Sequence, residues 1–288
     1  MRKVISKNIM TYMGFEADFE DAQLVLFGAP FDGTTSFRPG TRFGPAAMRQ
    51  EFEGLETYSP YLDMDLEDYE LFDAGDLDLP FGAKMRGLEM IYDQTKAILE
   101  AGKIPMMVGG EHLVSYGPIK AVSEAYDELV ILHFDAHADL RDHYMDEPYS
   151  HATVIRRSWD LVGDGRIYQF GIRSGEKTEF EFGREHTTME KFSADTLPEV
   201  VKSLGNTPVY VTIDLDIMDP SIFPGTGTPE PGGLTFKEMI KVTNELSHLN
   251  IVGADVVELS PQYDMSGAST AAACKVLREL TLAVLRGR

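Results

Sequence analysis

The chain has 288 residues, with 26 lysines and arginines against 47 aspartates and glutamates, a formal charge of −21. Hydrophobic residues make up 43% and charged residues 25%, a globular mix that excludes a disordered or fibrous chain. The acidity argues against nucleic acid, whose phosphates repel it, and favours a cationic small molecule as partner.

In chain order, strand-length apolar runs alternate with amphipathic stretches. Gln23–Ala29 reads as a strand, Lys84–Ala101 as a helix, Ile104–Val108 as a strand, Pro118–Tyr126 as a helix and Leu129–Phe134 as a strand. Ile167–Ile172 is a further strand, followed by a helix over Thr196–Leu204 whose Pro198 suits a first turn. Val209–Ile213 and Ile251–Val257 are strands on either side of a Thr235–Leu249 helix, where Thr235 and Glu238 have capping-box spacing. Ala268–Leu285 reads as a closing helix with Leu277, Leu280 and Val284 on one side. Near-continuous apolar strands are buried on both faces, so the expectation is an α/β fold, a three-layer α/β/α sandwich around a mainly parallel sheet. No linker, repeat or low-complexity tract divides it, and one domain over residues 1–288 is expected. Phe223–Gly233 reads as a shaped loop.

Compartment follows from what is missing. A single cysteine, Cys274, cannot form an intrachain disulfide. Met1–Lys7 is basic but has no apolar stretch of signal length behind it, and no run approaches the ~20 residues that span a bilayer. The expectation is a soluble cytoplasmic protein without a membrane partner.

Polar residues appear abruptly where the apolar strands end, which is where open α/β sheets place ligands. Val108 runs into Gly109-Gly110-Glu111-His112, and Phe134 into Asp135-Ala136-His137-Ala138-Asp139. Ile213 runs into Asp214-Leu215-Asp216, and Val257 into Glu258. In an extended chain alternate residues share a side, so Asp135, His137 and Asp139 are expected to converge, as are Asp214 and Asp216. Ionisable groups packed this closely at a buried sheet need a counter-charge. Two divalent cations balance the four aspartates, with neutral His112 and His137 completing the shells. The oxygen-rich set favours Mn²⁺ over Zn²⁺, and an ion pair that activates a bridging water points to hydrolysis.

Other residues have a plain reading beside the chemical one. His151 is a candidate proton shuttle if it lies near the ions, and otherwise a surface histidine. Glu258 could accept paired N–H bonds from a guanidinium, or simply end its strand. His133 reads as a hydrogen-bonded core residue, Asp32 and Gly33 as a turn, and Cys274 and Trp159 as packing residues. The glycine-rich segments lack the lysine and spacing of a phosphate loop, so no nucleotide cofactor is expected.

The segments Gly109–His112, Asp135–Asp139, Ser150-His151-Ala152-Thr153 and Thr212–Pro220 together resemble the ureohydrolases, the arginase/agmatinase family. Gly28–Gly33, Gly40–Pro45 and Pro224–Glu230 are further matches, in the family's order. The resemblance implies an arginase-like sandwich with two Mn²⁺ per subunit. One ion would be held by His112, Asp135, Asp139 and Asp214, the other by Asp135, His137, Asp214 and Asp216. It implies that His151 is the acid/base histidine, although many members have glycine where this chain has Ala152, and that Glu258 binds the guanidinium. A trimer or hexamer is implied as well.

Arginases carry an Asn- and Ser-containing loop that binds the amino-acid head of arginine. Here that stretch is Leu140–Tyr149, with Asp142, Asp146 and Glu147, and it resembles that of agmatinases. An acidic loop either favours a substrate with a free ammonium or is simply solvated; on the first reading the expected reaction is agmatine to putrescine and urea, a step of polyamine synthesis. Guanidinobutyrate, arginine and formiminoglutamate are the alternatives, each needing a basic residue in the mouth, for which Arg141 is the candidate. A single-zinc deacetylase and a silent metal-binding homologue are more distant readings.

Overall fold

In the computed structural model, which describes residues 10–288, the apolar runs become strands: β1 (Leu24–Ala29), β2 (Tyr58–Ser59), β3 (Met64–Asp65), β4 (Leu71–Asp76) and β5 (Ile104–Gly109). These are followed by β6 (Val130–Phe134), β7 (Ile167–Ile172), β8 (Thr188–Lys191), β9 (Pro208–Asp214) and β10 (Asn250–Val257). The helices are α1 (Gly44–Glu51), α2 (Lys84–Glu100), α3 (Tyr116–Ala125) and α4 (Val154–Val162). α5 (Lys177–His186), α6 (Leu197–Leu204), α7 (Phe236–Leu246) and α8 (Ala268–Leu285) complete the set. The Met1–Lys7 segment, read above for a leader, lies outside the described residues.

β2 and β3 form a small antiparallel pair, and the rest form one eight-stranded sheet in the order β4-β1-β5-β10-β9-β6-β7-β8. Its pairings are all parallel. Alternate strand residues feed cores on the two faces of the sheet. Leu24, Leu26, Met106, Val108, Leu132, Phe134, Val211 and Ile213 pack with Met48, Leu246, Leu277, Leu280 and Val284 on one face. On the other, Ile131 and Tyr210 pack with Ile119, Val122, Val154 and Ile155, while Val25, Phe27 and Met107 meet Ile91 and Ile98. The expected three-layer arrangement is present. α8 is buried almost all round rather than on one side, because both the sheet and its neighbouring helices α1 and α7 lie against it.

Sequence periodicity overlooked β4, β8, the small hairpin, α1, α4 and α5. β4 and β8 are the two sheet edges, and β8 (TMEK) buries no residue fully, so neither carries an apolar run. Pro198 does sit in the first turn of α6. The capping box of α7 is formed, with Thr235 N donating to Glu238 Oε2 at 2.7 Å and Glu238 N to Thr235 Oγ1 at 3.3 Å. Among the described residues no helix is long and apolar enough to cross a membrane.

Chain order sets the site. After β5 the chain skips across to β6 and winds outward through β7 and β8, then returns to insert β9 and β10 between β5 and β6. The four strands whose ends carry the polar motifs therefore stand side by side, β5-β10-β9-β6, at the place where the winding reverses.

Candidate functional site

His112, Asp135, His137, Asp139, Asp214 and Asp216 meet at the carboxyl ends of these strands. His112 Nδ1 lies 3.0 Å from Asp135 Oδ2, 3.1 Å from Asp139 Oδ2 and 3.3 Å from Asp214 Oδ2. His137 Nδ1 lies 3.0 Å from Asp216 Oδ2 and 3.4 Å from Asp135 Oδ1. Asp135 thus faces both groups, one oxygen to each. All but His137 are buried.

The residues converge, but not by strand alternation. β6 ends at Phe134, and Asp139 turns back toward His112 through a left-handed backbone at φ 53°. Asp214 ends β9 and caps a short 3₁₀ turn that carries Asp216, whose N–H it accepts at 2.9 Å. Gly171, at φ 85°, allows the close approach of β7, since a Cβ there would lie 2.7 Å from Ile217 and 3.1 Å from the Asp135 carbonyl. A reading of DxHxD as extended chain is therefore corrected: the motif leaves the strand before its side chains gather.

The electrostatics are those of crowded acids. Burial, then the Asp135 charge, push Asp139 up to about 7. Burial followed by Asp216 and Asp135 raise Asp214 well above the usual carboxylate range. For Asp135 burial also raises, but hydrogen bonds from His112, His133 and His137 outweigh it and hold the group low. Four buried carboxylates and two inward-facing imidazole nitrogens are a donor set that fits divalent cations.

Neighbouring groups fix the imidazoles. Gln169 Nε2 donates to His133 Nδ1 at 3.0 Å, so His133 carries its proton on Nε2 and gives it to Asp135 Oδ2 at 2.8 Å. His133 is a hydrogen-bonded core residue, as its sequence context suggests. His112 Nε2 contacts Thr212 Oγ1 at 2.9 Å, leaving Nδ1 as the nitrogen that faces the carboxylates.

Above the cluster opens a cleft of about 300 Å³, lined in part by His137, Asp139, Arg141, His151, Glu176 and Glu258. Glu258 sits at φ 67°, with Oε1 accepting the His112 N–H at 2.8 Å. Burial, then Glu111 and Asp216, raise its carboxyl well above the ordinary range, so a cation is the fitting partner. The half-buried His151 also lines this cleft, its ring edge-on to Tyr144 at 5.5 Å. Burial, then His137, push its imidazole down to about 4, so it is neutral near pH 7.

In the acidic stretch Leu140–Tyr149 the plain reading holds and the ammonium-binding one does not. Asp142 pairs with Arg157 at 2.8 Å and with His143 at 2.8 Å, while Glu147 pairs with Lys84; none of these carboxylates lines the cleft. Besides Asp139, Asp214 and Glu258, the acids that do are Glu176 and Glu179, which sequence reasoning missed because they stand in α5 and the turn before it, far along the chain. Arg141 is held between them, Nη1 3.1 Å from Glu176 Oε1 and Nε 3.3 Å from Glu179 Oε2, with its guanidinium over the Tyr144 ring. The candidate carboxylate anchor is already neutralised. Asp32 behaves as the turn residue expected, accepting the Gly40 N–H at 2.8 Å and pairing with Arg42. Cys274 is buried, its Sγ 3.3 Å from the Met48 carbonyl, and Trp159 packs edge-on against Phe182.

Residues 22–283 match the profile of the arginase family. The chain belongs to the arginase family. This member is 48% identical over 279 residues to the agmatinase of Bacillus subtilis, covering 96% of each chain. It is 50% identical over 268 residues to the agmatinase of Bacillus anthracis, covering 92% of each. Its fold superposes on the crystal structure of the agmatine ureohydrolase of Thermoplasma volcanium with a TM-score of 0.88 at 32% identity, over 99% of this chain and 97% of that one. The arginase-family chain is therefore an enzyme, a ureohydrolase with an arginase-like α/β fold and a buried His/Asp cluster able to hold metal.

Proposed function

We propose that this enzyme hydrolyses agmatine to putrescine and urea, with two Mn²⁺ held by His112, Asp135, His137, Asp139, Asp214 and Asp216. The observation that carries the substrate choice is the pairing of Arg141 with both Glu176 and Glu179. One cation between two glutamates leaves the outer cleft with surplus negative charge, which attracts an ammonium and offers no free cation to a carboxylate. The similarity to curated agmatinases supports the same substrate.

Bound divalent cations supply Lewis-acid charge and a water activated for attack on the guanidinium carbon. Glu258, buried at the cleft wall, accepts guanidinium N–H bonds and orients the carbon toward the cluster. His151, neutral because of its burial, takes the proton released as water adds and delivers it to the departing amine as the C–N bond breaks. Water, guanidine and proton are then accounted for in urea and a primary ammonium. Operation in the cytoplasm as a trimer or hexamer, in polyamine synthesis, completes the proposal on family grounds.

The test is urea release by manganese-loaded protein from agmatine, arginine and 4-guanidinobutyrate at equal concentration. Agmatine should be turned over at least tenfold faster than either acid. Comparable turnover of arginine defeats the substrate assignment, and no urea from any of the three defeats the reaction.

A further inference from the structure

Glu111 stands between Gly110, just past the end of β5, and His112 of the cluster, and its side chain is completely buried. It is bonded to the segment that follows β1. Its two oxygens accept the Thr34 N–H at 3.1 and 3.0 Å, the Thr34 hydroxyl at 2.5 Å and the Thr35 hydroxyl at 2.8 Å. The Glu111 N–H donates to the Phe31 carbonyl at 2.8 Å. Gly110 makes the approach possible, since a Cβ there would lie 1.9 Å from that same carbonyl oxygen.

The far side of this clamp is His151. Thr34 Oγ1 accepts the His151 backbone N–H at 3.2 Å and lies 3.5 Å from His151 Nδ1. Burial pushes Glu111 up to about 7, and in its ionised form it takes the one proton that the Thr34 hydroxyl has to give. Toward His151 the oxygen can only accept. A hydrogen on the ring nitrogen beside it satisfies that oxygen, an assignment that puts the lone pair on Nε2, the atom 3.4 Å from Ser36 Oγ at the cleft lining.

We propose that Glu111 is a positioning residue that, through the Thr34 hydroxyl, holds His151 with its proton on Nδ1 and its Nε2 lone pair free to receive a proton in the cleft. The inference rests on the reading of His151 as the proton carrier, and the test separates the two. In manganese-loaded enzyme, Glu111→Gln and Thr34→Val should each lower kcat roughly 10- to 100-fold, the range typical of a lost supporting hydrogen bond, with KM for agmatine nearly unchanged. Thr34→Ser, which keeps the hydroxyl, should recover most of the rate. Manganese content by elemental analysis should match the parent in all three. Combined with His151→Ala, Glu111→Gln should cost nothing further, because its route of action is gone. A full second loss on that background, or a manganese deficit matching the lost rate, overturns the role of Glu111 alone. Full activity of His151→Ala overturns both readings. If Glu111→Gln does not fold, the contrast of Thr34→Val with Thr34→Ser decides: equal rates in the two overturn the proposal.

Discussion

His112 Nε2 lies 2.9 Å from the hydroxyl of Thr212, and that hydroxyl gives its own proton to Asp255 at 2.6 Å. Thr212 can therefore only accept from His112, which fixes the hydrogen on Nε2 and presents Nδ1 to Asp135, Asp139 and Asp214. Asp255 is in turn held by the Tyr210 hydroxyl at 2.5 Å, inside the sheet and fully buried. Thr212→Val keeps the volume but strands the imidazole N–H. Outer partners of metal-bound histidines are typically worth 10- to 100-fold in metal affinity. We expect a loss of about that size in manganese affinity, read by chelator competition, with the far-ultraviolet circular dichroism unchanged. An unaltered affinity would show that the hydroxyl does not orient the ring.

Asp135 reaches both halves of the cluster, Oδ2 toward His112 and Oδ1 toward His137. Removing it should therefore empty more than one position. Asp135→Ala is expected to lose bound manganese and activity together. His151→Ala, whose side chain lies off the cluster, should keep its manganese while turning over slowly. Elemental analysis of the two variants side by side checks the assignment; a His151→Ala protein stripped of manganese would contradict it.

How much of this could be read from residues alone depends on burial. Strands with both faces covered, such as β5 and β6, write a continuous apolar run, and the acids that follow Phe134 and Ile213 stand out against it. Edge strands write no such run, and β8 passes unnoticed for that reason. Asp255 left a signal that was not used: a charge inside Ile251–Val257 has to be hydrogen-bonded, and its partners Tyr210 and Thr212 lie on the adjacent strand. Glu176 and Glu179 left none, because an acid in an amphipathic helix looks like any solvated one until the fold carries α5 to the cleft. The acidic loop shows the converse error. Its charges were visible, but Arg157 and Lys84, which take them up, come from distant elements.

The outer wall offers a graded test of substrate choice. Glu176 is more than half exposed, with 58% of its side chain accessible, so its effect should be small. Glu176→Gln leaves Arg141 facing only Glu179 and removes the surplus negative charge. At about 0.5–1 kcal/mol for an exposed ion pair, KM for agmatine should rise about two- to fivefold. Discrimination against 4-guanidinobutyrate should narrow by a similar factor, and both effects should shrink as salt screens the charge. A change confined to kcat would place Glu176 in some other role.

Acid should loosen the loop beside the cleft before it unfolds the sheet. Asp264 precedes α8 and accepts four hydrogen bonds, from the N–H and hydroxyl of Ser266 at 3.0 and 2.6 Å and from those of Ser269 at 2.7 and 2.6 Å. Burial would raise this carboxyl, but those bonds outweigh it and hold it at about 2. Ser269, having given its proton to Asp264, accepts the Gly225 N–H at 2.9 Å and so ties the Phe223–Gly233 loop to α8. A carboxyl lowered on folding stabilises at pH values above its unfolded pKa of about 3.9. That contribution fades as pH falls from about 4 toward 2 and is absent below both values. Asp264→Asn, which sets an amide against these donors, should therefore be less stable than the parent at pH 6 by about 1 kcal/mol, the typical net contribution of one hydrogen bond. The difference should close as acid is added. Parallel melting curves down to pH 2 would mean that the carboxylate charge, as opposed to the shape of the side chain, contributes nothing.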